Sequence, residues 1–136
     1  MIWSITDTCN YTTGGGVLHM AKKLKATTLN ILGTDYTMIY ENGDYSGNPK
    51  LTDNVLGYTE PYSKKLVVND FIPDGETVEL ADHSKNHTMR HEIIHAFLFE
   101  SGLYQSSTWA ANEEMVDFFA IQIPKIAAAM EKAGVL

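Results

Sequence analysis

The chain has 136 residues, long enough for one domain that buries roughly two-thirds of the surface its unfolded form exposes. Its net charge of −7 argues against nucleic-acid backbones or anionic membranes as partners, and no apolar run is long enough to span a bilayer. The single cysteine, Cys9, excludes an internal disulfide, no positive-then-apolar leader precedes the domain, and a cytoplasmic location follows as the default expectation.

Residues 1–19 show no sustained periodicity and are expected to form a flexible leader, with an ordinary tail or first strand as the rival reading. The three codons of Val17-Leu18-His19 separate the Gly14-Gly15-Gly16 run from Met20, a spacing at which glycine codons can spell a purine-rich ribosome-binding site. Met20 is therefore a candidate true start, with residues 20–136 as the single domain; no role falls to Cys9 or His19. Lys22, Lys23 and Lys25 read as a solvated surface. The stretches 27–32 and 36–40 are rich in β-formers, and Gly33-Thr34-Asp35 suits a hairpin turn between them. Residues 42–50 are loop by composition; 55–59 reads as a short strand, 60–63 as a turn and 64–69 as a further strand. Pro73-Asp74-Gly75 breaks the chain, and 76–82 is either a strand or the lead-in to a helix.

A helix is predicted from Ser84 or Asn86, both good caps, to Ser101-Gly102. A second is predicted to start at Ser106-Ser107-Thr108 and run through about Ile123, with Pro124 ending or kinking it before 125–133. Strands first and helices after describe an α+β domain with a small, mostly antiparallel sheet packed on the first helix.

That helix carries His91-Glu92-Ile93-Ile94-His95. Positions four apart on a helix differ by about 400° of rotation and about 6 Å of rise, so both imidazoles project from one face and can share a metal ion. Glu92 stands about 100° round from His91, beside such an ion and outside its inner shell, where a general base must stand. The apolar run Ile93 to Phe99 predicts a central, buried helix, in which three ionisable groups would be costly without a shared task.

A catalytic zinc usually has three protein ligands. Leu98 and Ser101 occupy the positions of a metzincin's glycine and third histidine, so that pattern is excluded. His87 lies one turn before His91, but three ligands in a row along one straight helix fan too far apart; a place behind the ligands or on the substrate side suits it better. A carboxylate from the following helix remains. Glu113 and Asp117 share a face four apart, so Glu113 can bind the metal while Asp117 accepts the outer ring N–H of a ligating histidine. Glu114 is the less favoured ligand, and a solvated acidic face is the bland reading of all three.

With these residues placed, His91–Leu103 and Asn112–Pro124 resemble the small gluzincin-like metallopeptidases of the ImmA/IrrE type, including short phage and prophage relatives. The resemblance covers about a quarter of the chain. It implies a zincin-like mini-gluzincin fold, Zn2+ on His91, His95 and Glu113, Glu92 as catalytic base and a three-stranded sheet before the motif helix. The family often has a helix before the sheet, and only 17–26 could form it here.

The reaction then expected is hydrolysis of peptide bonds by metal-activated water, in a protein or peptide substrate that by family analogy is a regulatory protein such as a transcriptional repressor. Oxyanion donors would come from Tyr104, Tyr58 or His87, with Tyr62 and His83 as further candidates. Substrate would lie along an exposed strand edge, either 55–59 or 66–69. The rivals are a zinc-stabilised structural module and a regulatory protein-binding module without turnover. A purely structural site has no need of Glu92 and more often uses four protein ligands.

Overall fold

The computed structural model describes residues 26–41, 48–51, 55–70 and 75–136. The leader 1–19, the rest of the stretch 17–25, residues 42–47 of the predicted loop, 52–54, and 71–74 with Pro73 and Asp74 lie outside the described residues. Among those described, the architecture is α+β: a four-stranded mixed sheet and three α-helices.

Strands β1 (Ala26–Ile31) and β2 (Thr34–Glu41) form an antiparallel hairpin in which Ile31 pairs with Thr34. The two-residue connection is Leu32-Gly33, one step earlier than predicted, and both residues have positive φ, 48° and 89°. That is the requirement of the tight turn whose twist matches its flanking strands. Gly33 meets it without strain, and the Asn30 side chain braces the turn by accepting from the Gly33 N–H and donating to Asp35.

Strands β3 (Gly57–Glu60) and β4 (Lys65–Asn69) form a second antiparallel hairpin. The sheet order is β1-β2-β4-β3, and β2 and β4 run parallel. Two of the three pairings are antiparallel, as expected of a mostly antiparallel sheet, and the parallel third makes it mixed. The reason is topological: β3 takes the outer position, and β4, returning antiparallel to it, fills the gap beside β2 in the direction of β2. Composition agrees, since Leu66, Val67 and Val68 are buried on both faces as an interior strand requires, whereas Gly-Tyr-Thr-Glu suits an edge. The edge available to a peptide beside β4 is therefore β3, and 66–69 is not an edge.

Helix α1 (Val78–Glu100) begins six residues before Ser84, because Thr77 caps it by accepting from the Leu80 N–H at 3.2 Å. Residues 78–82 are helix, and the ambiguity over 76–82 resolves as its lead-in. Its sheet-facing side packs Met89, Ile93 and Ala96 on Ile31, Tyr36, Leu66 and Val68. It ends as expected at Ser101-Gly102, with Gly102 left-handed. The helix is central but not buried all round: Phe97 is exposed, and the histidine side meets α3. At its C-terminal end Glu100 accepts from Lys64, Tyr36 and Thr34, which ties the helix to both hairpins. The Lys64 ammonium, and then the Tyr36 hydroxyl, hold the Glu100 carboxyl below the usual carboxylate range.

A short helix α2 (Leu103–Ser106) and a 3-10 turn (Trp109–Ala111) lead to α3 (Glu113–Ala133). The predicted cap at 106–108 gives way to Asn112, whose side chain accepts from the Met115 N–H at 2.8 Å. Helix α3 continues through Pro124 without ending. A proline lacks the N–H that would bond the carbonyl four residues earlier, here that of Ala120. Arg90 on α1 supplies the missing donor: its Nε–H reaches the Ala120 carbonyl at 2.6 Å. Arg90→Met leaves that fully buried residue's carbonyl unpaired, and the expected cost is about 1–3 kcal/mol in a denaturant titration. Pro124→Ala restores an internal donor and should erase much of that cost. Among the described residues, no helix is long and apolar enough to cross a membrane.

Candidate metal centre

Helices α1 and α3 meet where the predicted residues lie. The one-turn spacing on α1 brings His91 Nε2 and His95 Nε2 to 2.9 Å of each other, with the rings edge to face. Glu113, the first residue of α3 after its cap, places Oε2 3.1 Å from His91 Nε2 and 3.3 Å from His95 Nε2. One turn further along α3, Asp117 Oδ1 accepts from His91 Nδ1 at 2.8 Å. Glu114 points to solvent and takes no part.

The chemistry of this donor set decides what it can hold. An ionised carboxylate only accepts, so the bond to Asp117 places a proton on His91 Nδ1 and, in the neutral ring, a lone pair on Nε2. That lone pair faces the Glu113 oxygen, another acceptor, with His95 Nε2 equally close. With the His95 proton on Nδ1, three lone pairs converge there, an arrangement that a shared cation stabilises. Donors around one tetrahedral ion with bonds of roughly 2.0–2.1 Å stand about 3.3 Å apart, close to the spacings here. His91, His95 and Glu113 therefore form a group that could hold a metal ion. Asp117 fixes the orientation and tautomer of one of its ligands.

His87 lies one turn back on α1 and is not part of this group. Its Nε2 is 3.7 Å from Asp117 Oδ1 and is buried without a hydrogen-bond partner among the described residues. It does not line the cavity beside the three donors, and neither do Tyr62 and His83. Tyr62 stands at 89% exposure with its ring edge to face on Phe99.

That cavity, of about 380 Å³, is open to solvent and has His91, His95, Glu92 and Glu113 on one side. Edge strand β3 contributes Gly57, Tyr58 and Thr59 to the other, with Phe99 and Tyr104 at the rim. Of the proposed oxyanion donors, Tyr58 and Tyr104 border the cavity. The Tyr58 hydroxyl accepts from Asn48 Nδ2 at 2.8 Å, while Tyr104 is half-exposed.

Glu92 is 6% exposed, the most deeply buried carboxylate of the site. Burial pushes its carboxyl above the ordinary value; the hydrogen bond from Thr59 and the two imidazoles pull the other way, and Glu113 adds to the rise. Thr59 Oγ1 lies 2.8 Å from Glu92 Oε2 and 3.0 Å from the Glu92 carbonyl oxygen. β3 approaches α1 so closely that a Cβ at Gly57 would stand 2.6 Å from Thr88 Cγ2 and 2.9 Å from the Val67 carbonyl oxygen. Neither Gly57 nor Thr59 is legible from sequence as part of a site. The only local signal is that a glycine and a small hydroxyl residue alternate on an otherwise ordinary short strand.

Comparison with protein-family profiles, with curated proteins and with solved structures found no match for this chain.

Proposed function

We propose that the chain is a zinc-dependent metallopeptidase of the gluzincin-like, ImmA/IrrE type, acting on a protein or peptide, by analogy a regulatory protein. The observation that carries this reading is a buried carboxylate, Glu92, lining an open cavity together with the His91–His95–Glu113 group. Two imidazole nitrogens and one carboxylate suit zinc, and three protein ligands leave a position free, as catalytic sites do. A structural module would need neither the free position nor a base beside it.

Zinc held by His91, His95 and Glu113 would supply Lewis acidity and lower the pKa of water from about 15.7 toward 7. Glu92 takes a proton from the attacking water and returns it to the leaving amine, a task suited to a carboxyl whose pKa is raised by burial. A peptide extended along the edge of β3 that is unpaired among the described residues presents its carbonyl to the cavity, and the Tyr58 or Tyr104 hydroxyl donates to the developing oxyanion.

The test is hydrolysis of fluorescein-labelled casein and of a proteome-derived peptide library. The zinc-loaded chain is expected to cleave, phenanthroline to stop it and added zinc to restore it. Intact substrates in the presence of fully zinc-loaded protein would overturn the reading.

A further inference from the structure

We infer that Thr59 is a positioning residue that locks the Glu92 carboxylate so that Oε1, not Oε2, is the oxygen offered to the cavity; this rests on the peptidase reading above. The Thr59 hydroxyl has one proton and two acceptors in reach, Glu92 Oε2 at 2.8 Å and the Glu92 carbonyl at 3.0 Å. The carbonyl lies inside α1 and is already used by the helix, so the shorter, charge-assisted bond to the carboxylate takes the proton.

The other oxygen is treated differently by the same strand. Gly57 and Thr59 are two apart on β3 and share its face toward α1. Where Thr59 donates to Oε2, Gly57 has no side chain to set against Oε1; a Cβ there would lie 3.3 Å from that atom. Among the described residues Oε1 has no hydrogen-bond partner, and Gly57, Thr59 and Glu92 all line the cavity. One strand therefore ties down one carboxylate oxygen and leaves the other clear.

This matters because the last torsion of a glutamate is broad and does not hold a carboxylate plane by itself. A base must lie within about 2.6–3.2 Å of the proton it takes, and a displacement of about 1 Å costs on the order of a hundredfold in rate. Thr59 supplies the restraint from the strand that also offers its outer edge to substrate.

The experiment uses the zinc-loaded full chain, its Thr59→Val and Thr59→Ser variants, and Thr59→Ala as a second variant without the donor. Casein hydrolysis and the ¹³C resonance of the Glu92 side-chain carboxyl, assigned by its loss in Glu92→Gln, are followed together. Thr59→Val and Thr59→Ala are expected to lower kcat roughly ten- to hundredfold with KM changed less than about twofold, and to shift the Glu92 resonance. Thr59→Ser, which keeps the donor, should restore both. Unchanged kcat in the donor-less variants, an unmoved Glu92 resonance, or a Thr59→Ser variant as impaired as Thr59→Val would each overturn the inference. If the wild-type chain does not cleave at all, the peptidase reading fails. The resonance still decides whether Thr59 holds Glu92, and an unmoved one overturns that hold as well.

Discussion

Replacing Glu92 by Gln is expected to lower hydrolysis by about 10²–10⁴-fold while zinc stays bound and the fold stays intact. Gln is the same size and its side-chain oxygen can still accept from Thr59, so the packing between β3 and α1 is kept. What disappears is the ability to take a proton at the side of the cavity. At 6% exposure the charged form of Glu92 is costly to bury, so a neutral amide should leave thermal stability unchanged or raise it. That combination, activity lost without loss of metal or stability, separates a catalytic base from a carboxylate that merely supports the fold. Initial rates, zinc content and a thermal melt on the same preparation check it. A Glu92→Gln chain as active as wild type removes the base from the mechanism.

The second large effect is expected at His95. His95→Ala removes one of three donors whose atoms lie 2.9–3.3 Å apart and leaves His91 and Glu113 facing each other with no third ligand. Zinc binding should be lost, and with it the stabilisation that a bound ligand confers on the native state. At free zinc 1,000-fold above its Kd that is about 4 kcal/mol. The melting temperature of the wild-type chain should therefore fall on chelation, whereas that of His95→Ala should not respond. With no metal held in either protein, chelated wild type and His95→Ala should melt at similar temperatures. A chelator response equal in the two proteins would remove His95 from the ligand set.

Much of the centre was legible because helical periodicity is a local property. The spacings 91/95 and 113/117 each put two side chains on one helix face, and the structure joins those faces with Asp117 on His91 Nδ1 and Glu113 between the imidazoles. The strands at 26–41 and the glycine stop at Gly102 were legible for the same reason, since propensity and turn chemistry are written into neighbouring residues.

Features that depend on distant partners were not. Pro124 reads as a helix terminator until Arg90, more than thirty residues away, supplies a donor to Ala120. The start at Thr77 was hidden by Ser84 and Asn86, better-placed caps for the apolar run but inside the helix once Thr77 caps its first turn and Ala81 is buried. The parallel pairing of β2 with β4 follows from β3 moving to the edge, which no hydrophobic pattern in 42–56 announces, although the unbroken Leu66-Val67-Val68 run marks an interior strand. The grip of Thr59 on Glu92 joins a strand to a helix across 33 positions and has no local signature at all.

The metal centre is tested most directly by elemental analysis of the full chain purified without chelator and equilibrated with micromolar zinc. Wild-type and Glu92→Gln protein are expected to carry one zinc per chain, and His95→Ala and Glu113→Ala little or none. A wild-type chain that is folded yet takes up no zinc, or that holds it equally well without Glu113, would contradict the arrangement described for α1 and α3.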